Sequence, residues 1–192
     1  MNTKSAKTFD MKQTWQNITT NYSHWLSFVF LMLIAVVINP SFLSFTNLTN
    51  QFVQGAITGI CAMGMSLVIS AGMIDLSVGS SVALISGLGV LLLNKTESIA
   101  LCLLFCLGFG LILGLINGVL VTKGNIAPFI VTLASFSAYR SIINQLGQGG
   151  PFTVSKTMYD GFRKIAAGRV MGIPNLMLIF ILITVKIGRA HV

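Results

Sequence analysis

The chain has 192 residues, 54% of them hydrophobic and 8% charged, with a mean hydropathy of +0.86. A soluble domain carries roughly 25% charged residues, so this chain cannot cover a surface in water, and lipid is the solvent that suits it. Twelve basic residues against four acids give a net charge of +8, but no basic stripe carries interleaved aromatics. Cations flanking apolar spans and meeting lipid headgroups explain that charge, and no nucleic-acid partner is expected.

Residues 1–21 are polar, with Lys4, Lys7 and Lys12 against Asp10, and read as a cytoplasmic N-terminal arm. The first apolar run covers 22–38. Tyr22 and Trp25 suit a membrane interface at its start, and Asn39-Pro40 follows instead of a cleavage site, so it reads as a retained anchor. Residues 39–54 are polar but uncharged. A second run covers 55–72, then Asp75 interrupts, and a third covers 76–93. Residues 94–97 form a polar turn. The fourth run, 98–121, is the clearest, with 24 uncharged residues, enough to cross a hydrocarbon core of about 30 Å. After a turn at 122–127, a fifth run covers 128–146, with Arg140 near its far end. Residues 147–173 form a longer polar segment, and a sixth run, 174–185, is too short to cross. The apolar runs are continuous, not alternating, which predicts helices over a barrel. The fold class is therefore all-α: a polytopic transmembrane helical bundle with about five spans plus a truncated sixth.

The lysines of the arm favour a cytoplasmic N-terminus. Counting spans then places 147–173 outside with Lys156, Arg163, Lys164 and Arg169, against the positive-inside rule. Gly110, Gly114 and Gly118 form one small-residue ridge, and Gly55 and Gly59 another; both predict close helix packing. Cys61, Cys102 and Cys106 lie in apolar runs and read as buried free thiols. His24 and His191 are too far off to complete a metal site with them, so no metal is expected.

No catalytic constellation is visible: there is no phosphate-binding loop, no paired-histidine zinc motif and no Ser-His-Asp set. The chain does not read as an enzyme, and no cofactor is expected. Asp75 is the ionisable residue that stands out. A carboxylate between apolar stretches marks a function or a helix cap, and Asp75 followed by Ser77 fits an N-terminal cap. The same helix start would suit a water-filled path, which makes Asp75 and Ser77 candidates for substrate contact. Asn117 and Thr132 read as hydrogen-bonding residues between helices, and Arg140 as a side chain that snorkels to the interface.

The run from Ile69 through Gly72-Met73-Ile74-Asp75-Leu76-Ser77-Val78-Gly79-Ser80 resembles the signature of ribose-type sugar permeases. Gly114-Leu115-Ile116-Asn117-Gly118, followed by Ile126-Ala127-Pro128-Phe129-Ile130-Val131-Thr132-Leu133-Ala134, is similar to a second block of that family. Arg140, Gly149-Gly150-Pro151 and Gly172-Ile173-Pro174 resemble its later landmarks, and the matches run in order over roughly 55–176. The resemblance implies the permease subunit of an ATP-binding-cassette importer in the bacterial plasma (inner) membrane, within the branched-chain-amino-acid/ribose permease superfamily. It implies a separate cassette ATPase, a periplasmic or lipid-anchored sugar-binding protein and a second permease copy, as a homodimer or a paralogue. Its cargo would be a monosaccharide or related small polyol. The family's later ATPase-docking segment has no counterpart here, so 22–185 reads as an incomplete permease domain. Residues 186–192 depart from the family and match one reading frame of a common sequencing-library adapter, so a non-native tail is expected there. Two other readings stay open: a fragment of an ion-coupled secondary transporter, for which Asp75 is the candidate, and a membrane scaffold without transport.

Overall fold

A computed structural model describes Thr20 and residues 22–190; the rest of the expected N-terminal arm and the last two residues of the expected tail lie outside the described residues. The chain divides into two compact units, one ending at Gln51 and the other beginning at Phe52.

The first unit holds α1, Ser23–Ile38, which has no buried residue and presents apolar side chains all round, as a lipid-facing helix does. Pro40 stops it by forcing Asn39 into extended backbone, and a single 3-10 turn follows at Pro40–Leu43. Ser44 then caps α2, Phe45–Ser70: its hydroxyl accepts the Asn47 backbone N–H at 3.3 Å. Residues 45–54, expected as a polar connection, are therefore the opening turns of a 26-residue helix.

In the second unit α2 ends in a Schellman motif. Gly72 sits at φ +72°, and the N–H groups of Gly72 and Met73 return to the carbonyls of Ile69 and Val68. Residues 73–77 are non-helical. α3 (Val78–Thr96), α4 (Ile99–Thr122) and α5 (Pro128–Leu146) follow. Ser98 caps α4, and Pro128 starts α5 at the position where a missing N–H costs nothing. α3 is packed on two sides. Gly87 faces Ile143 of α5 and Phe152, while Gly89 faces the Cys102 and Cys106 sulfurs of α4. Two residues turn an α-helix through about 200°, so this glycine pair opens opposite sides of α3 to its two neighbours. Leu84, Leu113, Tyr139 and Ile143 form the buried core between the three helices.

Residues 147–173, expected as a polar connection, hold further structure. Phe152 folds back against the core, and Asn94 pins the segment by donating to the Thr153 carbonyl and accepting the Ser155 N–H. An amphipathic helix follows, α6, Lys156–Ala167, with Met158, Phe162 and Ile165 half-buried and Lys156, Arg163 and Lys164 exposed. A two-residue antiparallel hairpin pairs Arg169–Val170 with Ile173–Pro174 around Met171 and Gly172, both at positive φ. The last helix, α7, runs Asn175–Ala190. It continues without a break past Val185, where the apolar run was expected to stop.

α2, α3 and α4 are each long and apolar enough to cross a membrane; α1 and α7 are shorter apolar helices. Leu107 and Leu111 are 75% and 74% exposed on α4, a lipid-facing surface on an all-α, polytopic membrane bundle.

Candidate functional site

The non-helical stretch before α3 carries the residues that sequence reading singled out. Asp75 Oδ1 accepts the Ser77 backbone N–H at 2.7 Å and the Ser77 hydroxyl at 2.6 Å. The expected cap is thus shifted. Ser77, not Asp75, holds the residue position before α3, and Asp75 closes a local turn two residues earlier. Ser77 is 1% exposed, so its hydroxyl needs partners, and it finds two. It donates to Asp75 and accepts from Asn117 Nδ2 at 3.1 Å. Asn117 Oδ1 in turn accepts the Ser135 hydroxyl at 2.6 Å. The result is a one-way relay, Ser135 to Asn117 to Ser77 to Asp75, joining α5, α4 and the start of α3. Such chains polarise one another in a low-dielectric interior.

Thr132 lies one turn before Ser135 on α5 and is 4% exposed. Its single hydroxyl hydrogen goes to the Pro128 carbonyl at 2.9 Å; the Ile74 carbonyl is farther, at 3.5 Å. Asp75, Asn117 and Thr132 line a cavity of about 240 Å³ with Gly114, Gly118 and Pro128. Asp75 is half-buried there, and Oδ2 has no partner among the described residues.

The structure therefore brings Asp75, Ser77, Asn117 and Thr132 into one place, and adds Ser135, which sequence reading missed. The three-residue step from Thr132 to Ser135 puts both on one helix face, and that was the available signal. Within this chain the glycine ridge makes little contact. A methyl on Gly110 would touch only Ile85, and one on Gly114 or Gly118 would touch nothing within 4 Å. Gly114 and Gly118 form cavity wall, not a helix contact within this chain. The close-packed glycines are Gly59, against Phe180, and Gly87 and Gly89. Cys102 and Cys106 are free thiols directed at the Gly89 and Ile85 carbonyls, and no metal-binding cluster occurs among the described residues.

A bundle of apolar helices around a largely apolar cavity, into which Asp75, Asn117, Thr122 and Thr132 bring a few polar groups, has the build of a membrane permease component. The family described as branched-chain amino acid transport system / permease component matches residues 47–187, and the chain belongs to it. The ribose import permease protein RbsC of Bacillus subtilis (strain 168) is 35% identical over 193 residues, covering 98% of this chain and 60% of that protein. The xylose transport system permease protein XylH of Haemophilus influenzae is 32% identical, covering 75% of this chain and 42% of that protein. The fructose import permease protein FruF of Bifidobacterium longum is 29% identical, covering 85% and 49%. The chain thus spans 60% or less of the length of each of these relatives. No solved structure matches it.

Proposed function

We propose that this chain forms part of the translocation path of an ATP-binding-cassette importer for a monosaccharide or related small polyol, in the bacterial inner membrane. The observation that carries the reading is the relay from Ser135 to Asp75 beside its cavity. Of its members Asp75 and Asn117 line the cavity, with Thr122 and Thr132 beside them, and the Asp75 carboxyl group at the bend in the backbone is one that pairs with the hydroxyls of a sugar. Non-helical backbone in a membrane protein is tolerated where it is buried in protein or lines a cavity; Met73, Ile74 and Asp75 line this one, and Ser77 is buried. The printed functions of the relatives, ribose, xylose and fructose import, support the same cargo class. ATP hydrolysis then falls to a separate cassette subunit. A sugar-binding protein delivers the cargo, and a second permease copy, identical or paralogous, completes the path.

The test is uptake of labelled ribose, xylose and fructose into vesicles carrying the protein together with the ATPase and binding protein encoded beside it. Accumulation that requires ATP and falls in Asp75→Ala and Asn117→Leu supports the reading. Accumulation driven by a proton or sodium gradient without the ATPase moves the protein to the ion-coupled class. No accumulation of any of the three sugars under either drive counts against the cargo class.

A further inference from the structure

A second cavity, of about 520 Å³, lies along α5 beyond the relay. α3, α5 and the Gly149–Phe152 segment border it as an open cleft. Arg140 and Asn144, four residues apart on one face of α5, line it together with Ser86 of α3 and the apolar side chains of Val90, Ile143 and Phe152. Its roof is held in place, because Phe152 packs on the core and Asn94 holds Thr153 and Ser155 at 2.9 and 2.8 Å.

The cavity carries one uncompensated positive charge. None of the described acids, Asp75, Glu97 and Asp160, lines it, and Arg140 has no ion-pair partner among the described residues. Arg140 stands six residues before the end of α5, about 9 Å along the helix axis. Its side chain is exposed in the cavity and so open to a ligand. Nearby main-chain donors are already spent: the N–H groups of Gly147, Gln148 and Gly149 return to the carbonyls of Ile143, Gln145 and Asn144. Ser86 gives its hydrogen to the Ala83 carbonyl. The free donors are then the guanidinium, with five N–H bonds and no acceptor, and the Asn144 amide.

We infer that this cavity binds an oxyanion, a carboxylate or phosphate borne by a small solute or by a lipid headgroup. The guanidinium fork matches either group with two parallel hydrogen bonds. The volume falls in the range of ligand pockets.

The test places a thiol in the cavity with Ser86→Cys in the full chain, held in phosphatidylcholine nanodiscs. Its alkylation by a water-soluble maleimide is measured, with the native-cysteine background subtracted. Inorganic phosphate at about ten times its dissociation constant slows alkylation about tenfold when Arg140 is present, while chloride at equal ionic strength does not. Adding Arg140→Gln abolishes the protection, and Arg140→Lys keeps part of it, which separates loss of the site from loss of the fold. Protection in phosphatidylglycerol nanodiscs without phosphate identifies a lipid headgroup as the source of the oxyanion; protection by phosphate alone identifies a solute. Equal rates in every condition, equal protection in Arg140→Gln, or a thiol unreactive even in plain phosphatidylcholine would each overturn the assignment, leaving Arg140 as a side chain that snorkels to the interface.

Discussion

The side-chain amide of Asn117 donates to the Ser77 hydroxyl at 3.1 Å, tying the cavity-facing side of α4 to the residue that opens α3 across 40 positions of chain. Both residues are buried, and Asn117 is held from its other end by Ser135. One side chain therefore joins three segments.

Replacing Asn117 with Leu removes both bonds and leaves Ser77 and Ser135 without that partner. Interhelical hydrogen bonds in membranes contribute about 0.6–2 kcal/mol each, so a loss of about 1–3 kcal/mol is expected. Denaturant titration in mixed micelles measures it. Asn117→Asp keeps the acceptor for Ser135 but has no N–H for Ser77, and should fall between the two.

Asp75→Asn and Asp75→Ala should separate. The amide oxygen of Asn still accepts from the Ser77 N–H and hydroxyl, so the turn before α3 survives. Ala strands both donors, which costs about 1–3 kcal/mol. Wild-type-like stability for Asp75→Ala, read in the same titration, would show that the turn does not depend on this carboxyl group.

The glycines make the sharpest contrast. A methyl on Gly87 collides with Ile143 and Phe152, whereas one on Gly114 meets open space. Gly87→Ala should lower stability by about 1–3 kcal/mol. Gly114→Ala should be neutral, or more stable by up to about 1 kcal/mol through helix propensity. If Gly114→Ala instead weakens self-association measured by cross-linking, that ridge meets another chain.

Asn94→Ala should leave α3 intact and release the segment after α5, because two of its hydrogen bonds hold residues 153–155. Amide exchange there should rise by about tenfold or more while exchange in α4 stays unchanged.

The elements most legible in the sequence had both an apolar run and a terminal signal. Pro128 marked the start of α5, and the run ended at Leu146, where the helix ends. The start of α2 was hidden because Ser44 caps a stretch rich in Asn, Thr and Gln, where short-range hydrogen bonds of Ser44, Asn47 and Thr49, and not hydropathy, mark the helix. α6 was hidden for a related reason: its charges resemble a loop, and only the period of Met158, Phe162 and Ile165 betrays a helix. Asp75, Ser77, Asn117 and Thr132 stood out as polar groups in apolar surroundings, but that they meet depends on tertiary packing. Ser135 was passed over because serine is common in membrane helices, although its step from Thr132 was there to read, and the spacing of the glycine ridge reports a small surface without saying what faces it.

The direction of the relay sets a rule of chemical discrimination. Ser135, Asn117 and Ser77 each pass a hydrogen toward Asp75, whose other oxygen, Oδ2, has no partner among the described residues and can take a hydrogen from a group in the cavity that Asp75 lines. A visiting group there gains only by bringing one. A free hydroxyl does so; the same carbon bearing fluorine or a methoxy group does not, although its shape is nearly the same. Deoxyfluoro and O-methyl sugars, tested one position at a time, would therefore map which hydroxyl of the cargo turns toward Asp75.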